Sequence, residues 1–300
     1  MNDFFGFSAK SQFFFVTLQR VLYICPLETM KEPKRILFLS QEIYPYLDEI
    51  TELSSLNRKL PQLCQEQGIE TRTFMPKFGE INERRNQLHE VIRLSGSNIA
   101  INDIDHPLLL KVASIQQARI QIYFTDNDDF FHRRKGLVDS KGKEYPDNDE
   151  RSIFYVRSSY ETIQRLRWVP DLIICSGWMS ALAPLYLKTA FKDVPFFSNT
   201  KIAVALDHHP FNQLLPSTFA QKAMIRGVTE EDMAQLWNKR ISYYRLMKVA
   251  IDYADAVAVY APKEAVHKQL FDYAAKSGKP FCPYSDGTPQ SYFDFYNQLL

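Results

Sequence analysis

Seven short apolar runs rich in β-branched residues, several of them separated by stretches of helical periodicity, restrict this chain to one class of fold. The runs are RILFLS at 35–40, TRTFMP at 71–76, LLLKVAS at 108–114, RIQIYFT at 119–125, DLIICS at 171–176, KIAVAL at 201–206 and DAVAVY at 255–260. Between them Leu53, Leu56, Leu60 and Leu63 recur at helical spacing, as do Ile153, Val156, Tyr160, Ile163 and Leu166. Asp147, with Glu150 three residues on, reads as a capping arrangement at the start of the second helix. Alternation of this kind predicts an α/β fold: a Rossmann-like, mostly parallel sheet with helices on both faces. Residues 82–125 hold strands with no helix between them, which predicts an antiparallel insertion. Polar loops are expected at 126–150 and 207–230, and LMKVAIDYADAVAVYAPKEAVHK at 246–268 reads as helix, strand and helix. Residues 277–292 are rich in Pro, Gly and Ser, and with the aromatic SYFDFYNQLL that ends the chain they read as a tail over 277–300.

Three hundred residues are ample for a buried core, and 45% apolar with 24% charged content is that of a soluble globular protein. A net charge of +1 provides no broad attraction to nucleic acid or to an anionic membrane, so neither is an expected partner. Cys25, Cys64, Cys175 and Cys282 are widely spaced with no Cys-x-x-Cys, which predicts reduced thiols in a cytoplasmic protein and no zinc site. The apolar stretch SQFFFVTLQRVLYICPL is broken by Gln19 and Arg20 well short of a membrane span and lacks a cleavage signal. Residues 1–30 are therefore read as a dispensable or mis-started leader, with the regular pattern beginning after Met30.

Ligands of parallel sheets sit outside the carboxyl ends of the strands, which here directs attention to 41–53, 126–148, 176–180 and 207–216. At the first of these, EIYPYLDEITELSSLNRKLP joins a strand to a helix, a junction where glycines and the helix N-terminus commonly cradle a phosphate. This junction has no glycine and carries Asp48, Glu49 and Glu52. LDHHP at 206–210 invites a metal-dependent phosphoesterase reading, but that chemistry needs more carboxylates. TDNDDF at 125–130 could supply them, yet the glycine-bearing Asp motif of such enzymes is missing, and a polar strand-end loop is the plainer account. FFHRRKG at 130–136 is either a phosphate or acidic-partner site or a solvated surface. Trp178, in CSGWM, either stacks on a sugar or packs in the core. No Gly-x-Gly-x-x-Gly, Walker loop or Gly-x-Ser-x-Gly is present, so NTPase, dinucleotide and hydrolase readings lack support.

Taken together, these segments resemble the N-terminal domain of bacterial-type glycogen and starch synthases, glycosyltransferase family 5. ILFLSQEIYPY is similar to the family's Ser-Glu-x-x-Pro-[Phe/Tyr] strand end, and LPQLCQEQGIETRTFMPKFGEI to its Gly-His-x-Val-Arg and Pro-x-[Phe/Tyr]-Gly segments. IYFTDNDDFFHRRKGL and EYPDNDERSIFYVRSSYE resemble its Tyr-x-Asp-Asn-x-x-Arg-Phe stretch. WVPDLIICSGWMSALAPLYLK and LMKVAIDYADAVAVYAP resemble two later family segments, so the likeness covers about residues 34–268 in consistent order.

The resemblance implies the N-terminal half of a two-domain GT-B fold over residues 31–276, with the second domain absent. It also implies a retaining transfer of glucose from ADP-glucose to an α-1,4-glucan. In the family the first junction reads Lys-Thr-Gly-Gly-Leu, its lysine a cation for the donor phosphates; here it is DEITEL. The family's His-Asp-Trp becomes Ser176-Gly177-Trp178, and its Thr-x-His-Asn becomes Leu206-Asp207-His208-His209. Asp207 then stands in the histidine's place and His208 in the asparagine's, or a one-residue slip restores His208 as the histidine. Val138 stands where the family has a tyrosine, while Pro45, Pro76, Gly79, Asn148, Arg151, Pro170 and Trp178 persist.

The resemblance thus implies Asp207 and His208 at degenerate catalytic positions and Trp178, Asp48, Asn148 and Arg151 as substrate-binding residues, with no cofactor and no metal. Two functions follow from it. One is a glucosyltransferase that needs a partner chain to supply the donor domain; the other is a non-catalytic α-glucan-binding or regulatory homologue. The changed site residues favour the second, with an α-glucan or other carbohydrate as partner.

Overall fold

Successive residues of the first strand enter two different cores: Leu37 and Leu39 pack in one, Ile36 and Phe38 in the other. A strand buried on both faces needs apolar residues at every position, which is why RILFLS shows no polar alternation. The computed structural model of the chain describes residues 32–132 and 134–300. The leader expected at 1–30, with Cys25, lies outside the described residues.

The domain spanning Lys34–Leu300 opens with β1 (Arg35–Ser40), α1 (Glu52–Glu66) and β2 (Glu70–Pro76), a parallel pair joined by a crossover helix. The expected antiparallel insertion follows as β3 (His89–Glu90), β4 (Asn98–Ile101), β5 (Ile104–Pro107), β6 (Leu109–Ile115) and β7 (Ile120–Asp126). Here β6 runs antiparallel to β7 and β3 to β6, while β4 and β5 form a hairpin of their own. Alternation resumes with α2 (Asn148–Leu166), β8 (Leu172–Ser176), α3 (Ala183–Lys188) and β9 (Lys201–Leu206). It continues through α4 (Phe219–Ala223), α5 (Tyr243–Tyr253), β10 (Ala256–Val259), α6 (Lys268–Ala275), β11 (Phe281–Cys282) and α7 (Pro289–Asn297). The sheet order among the described residues is β11-β10-β9-β8-β1-β2-β7-β6-β3, parallel from β11 through β7. The fold is therefore the α/β, mostly parallel arrangement with helices on both faces. No helix among the described residues is long and apolar enough to cross a membrane.

Three local expectations give way to different physics. Asp147 does precede α2, but its carboxylate takes Nη1 of Arg134 at 2.7 Å and caps nothing. The third segment of 246–268 is turn rather than helix, and α6 begins only at Lys268. Residues 277–300 are no loose tail: β11 pairs with β10, and α7 packs against α1. Tyr292 donates its hydroxyl to the Val259 carbonyl at 2.8 Å, and the Tyr260 and Tyr296 hydroxyls meet at 2.9 Å inside the second core. The aromatic residues at the chain's end thus close one face of the sheet. Cys64, Cys175 and Cys282 are free thiols.

Candidate functional site at the strand ends

Parallel pairing brings the carboxyl ends of β1, β8 and β9 side by side, with Ser40 opposite Ser176 and Ser176 opposite Ala205. The residues that follow each strand therefore share one cleft. After β1 come Gln41 and Glu42, after β8 Gly177 and Trp178, and after β9 Asp207, His208 and His209.

Gln41 and Gly177 are fitted to one another. The Gln41 amide donates to the Ser176 carbonyl at 2.9 Å, and Gln41 Oε1 accepts from the Met179 amide at 3.3 Å. Gly177 has φ +88°, and a Cβ there would lie 2.4 Å from Cβ of Gln41. Only glycine meets both conditions, so an acid has no room at this position.

Asp207 is buried. Its Oδ1 accepts from the His209 amide at 2.7 Å, while Oδ2 finds no hydrogen-bond partner among the described residues. Burial pushes its carboxyl up to about 7; the His209 amide pulls the other way, and the charge of Glu42 pushes further up. The Tyr243 hydroxyl of α5, likewise buried and unpartnered among the described residues, is raised by burial and then by the Asp207 charge. The rings of His208 and His209 lie 4.0 Å apart between centroids, and burial lowers both imidazoles, which keeps them neutral at pH 7.

At the helix N-terminus the chain caps itself. Thr51 Oγ1 accepts from the Ser54 amide at 2.8 Å and donates to Oε1 of Glu42, and Ser54 Oγ accepts from the Thr51 amide at 3.0 Å. The place where a phosphate commonly meets such a helix is thus closed by two hydroxyls, with a carboxylate against them. Burial raises Glu42, and the Thr51 bond only partly offsets it.

In front of these groups lies a cavity of about 640 Å³ lined by Gln41, Glu42, Glu49, Thr51, Glu80, Tyr145 and the 135–140 loop. Among the described residues Lys135 is the one cation of its lining, against Glu42, Glu49, Glu80 and Asp139. Glu80 is raised by burial and next by the charge of Asp48.

Of the residues singled out from sequence, Asp207 and His208 stand at this cleft, close enough to Glu42 for its charge to act on both. Trp178 is only 2% exposed and packs edge-on against Phe211 at 4.9 Å, so its ring belongs to the core. Asp48 is exposed and lines a neighbouring pocket with Tyr44 and Arg85 rather than the main cavity. Asn148 and Arg151 are buried beneath the cavity wall. Asn148 Nδ2 donates to the Leu137 carbonyl at 2.8 Å, Arg151 Nη2 donates to the Gly136 carbonyl at 2.9 Å, and Arg151 Nη1 donates to Asn148 Oδ1 at 2.6 Å. The guanidinium lies over Phe131 at 5.1 Å and Phe78 at 5.5 Å, and burial lowers it to about 10. These two residues shape the loop that a ligand would meet.

The basic patch is dispersed among the described residues, because Arg134 turns to Asp147 while Lys135 faces the cavity. The phosphoesterase constellation does not assemble either. β7 lies four strand spacings from β9 in the sheet order, roughly 19 Å at ~4.8 Å each, so TDNDDF and Asp207 cannot share cations.

Sequence reasoning passed over Gln41, Glu42 and Glu80, although the strand-end rule points to their segments. It also passed over Glu144, whose carboxylate accepts from the Asn212 amide at 2.6 Å and the Gln213 amide at 2.9 Å and ties two rim loops together.

A family model described as the starch synthase catalytic domain matches residues 35–267. A glycogen synthase of Pelodictyon phaeoclathratiforme is 31% identical over 245 residues, covering 80% of this chain and 48% of that protein. One from Chlorobium limicola is 36% identical over 197 residues, 65% of this chain and 40% of the relative. The solved catalytic domain of starch synthase IV from Arabidopsis thaliana, bound to ADP and acarbose, matches with a TM-score of 0.67 at 14% identity. That match covers 84% of this chain and 51% of the other, and at this identity it speaks for a common fold. The chain spans about half the length of the curated relatives it matches.

Proposed function

The chain belongs to the family of starch synthase catalytic domains, and we propose that it binds an α-glucan without itself holding a sugar nucleotide. The observation that carries this is the closed N-terminus of α1, where Thr51, Ser54 and Glu42 satisfy one another and acids border the cavity. Replacing the lysine and glycines of the family's junction by carboxylates removes a cation contact and adds like charge. Such a change costs a diphosphate on the order of several kcal/mol of binding.

A neutral polyol meets no such penalty. Carboxylates accept hydroxyl hydrogen bonds, and the Gln41 carboxamide and Tyr145 hydroxyl can donate or accept. Retaining glucosyl transfer also requires groups that stabilise developing positive charge and a departing diphosphate. With Lys135 the one cation of the cavity lining among the described residues, against four carboxylates, this cleft serves the sugar and not the leaving group. The reading is a cytoplasmic, non-catalytic glucan-binding or regulatory homologue.

Incubation with ADP-glucose and glycogen tests it. The expected results are co-sedimentation with glycogen, no ADP release, and no heat of ADP binding in a calorimeter. Turnover at the rate of a two-domain synthase would sink the non-catalytic reading and identify a transferase. Failure to co-sediment would sink the glucan.

A further inference from the structure

We infer that the main cavity is one end of a longer groove, and that the C-terminal segment builds a second sugar subsite at the other end. The inference rests on the carbohydrate reading of the cleft and adds the length of the ligand to it. A second pocket of about 380 Å³ lies on the far side of the Thr51 cap, between α1 and the 284–287 turn. Thr51 lines both spaces, so they meet at one residue rather than on opposite sides of the molecule. On the crest beside it stands Ile50, 63% exposed and lining the second pocket, an apolar side chain that a passing pyranose ring would cover.

The far wall is specific to this chain's C-terminal part. Tyr284, Asp286 and Gly287 all lie beyond residue 267, where the family match ends. Gly287 has φ +69°, and a Cβ on it would come within 3.0 Å of the Tyr284 hydroxyl, so the ring lies against the turn with no side chain between them. The turn is held by Asp286, whose Oδ1 accepts from the Thr288 amide at 2.9 Å and from Ser291 Oγ at 3.1 Å.

A half-buried tyrosine ring offers an apolar face to the C–H side of a sugar and a hydroxyl at its edge. Ser55 and Lys59 project from α1 into the same pocket, and Lys59 has no ion pair among the described residues. Glu52 and Asp286 outnumber that lysine, so the pocket has no surplus positive charge to recruit a phosphate. A linear oligosaccharide running from the cavity across the cap to Tyr284 fits this pattern of rings, hydroxyls and balanced charge.

Calorimetry with maltose and maltoheptaose, on the full chain and on Tyr284→Ala, separates the two claims. The wild-type chain should bind maltoheptaose at least about tenfold more tightly than maltose, a difference of about 1.4 kcal/mol. Tyr284→Ala should erase that preference and leave maltose affinity unchanged. If Tyr284→Ala does not fold, Lys59→Glu, on an exposed helix position, gives the same readout. A variant that keeps the full preference overturns the second subsite and leaves the glucan reading standing. Absence of binding by either sugar to the wild-type chain overturns both.

Discussion

At the scale of single residues, Asp207 is the group whose chemistry departs furthest from what its neighbours in sequence suggest. Its carboxyl is pushed up to about 7 by burial, with one oxygen unpartnered among the described residues. An unfolded chain releases that proton near the ordinary Asp value, while the folded chain keeps it to about 7. Between those values the native state binds more protons, so stability falls as pH rises, and the penalty is complete above about 7. Asp207→Asn keeps an acceptor for the His209 amide and removes the charge. The variant should be more stable than wild type by up to about 4 kcal/mol at pH 8, with the gap closing towards pH 4, as read by urea denaturation at both. A variant less stable at pH 8 would mean that the carboxylate is paired in the native state. The positions of Asp207 and His208 were legible because a strand end in a parallel sheet fixes where they point. The burial of Trp178 was not, since a strand-end indole has the same letters whether it faces a ligand or Phe211. Nor were the roles of Asn148 and Arg151, which depend on loop carbonyls that only folding brings beneath the cavity wall.

At the scale of elements, α7 shows how much a segment with tail-like composition can contribute. Tyr292 and Tyr296 are buried in the second core with Leu53, Leu56 and Leu60 of α1. Tyr296→Ala removes a fully buried ring and leaves the Tyr260 hydroxyl without its partner, so it should cost about 3–5 kcal/mol in chemical denaturation. A loss under about 1 kcal/mol would restore the tail reading. Composition misleads here because Pro, Gly and Ser mark the turns that reverse the chain, and the aromatics beyond them do the packing. The seven runs named from sequence match strands to within a residue or two, because residues facing two cores must be apolar at successive positions, whereas the short β3, β4, β5 and β11 carry no such run. Helix starts were less so. The capping box of α1 uses Ser54 where the usual pattern has Glu or Gln, and Asp147 has the usual letters but spends its carboxylate on Arg134.

At the scale of the whole molecule, a net charge of +1 means that no global field steers an anion toward or away from the chain. Discrimination against a diphosphate must then be local, from the acids that the parallel sheet gathers along one edge. Local repulsion has a signature. The screening length is about 10 Å at 0.1 M salt and about 3 Å at 1 M, so exposed charges lose most of their reach over that range. Asp48→Lys combined with Glu49→Lys reverses two exposed charges beside the cavity without touching the Thr51 cap. If charge excludes the nucleotide, the double variant should bind ADP at least about tenfold more tightly than wild type at 0.1 M salt, and the gain should shrink at 1 M. If ADP stays unbound at both salt concentrations, the exclusion is steric. The cap of α1 would then be the barrier, because screening cannot free the Thr51 and Ser54 amides, which already have partners.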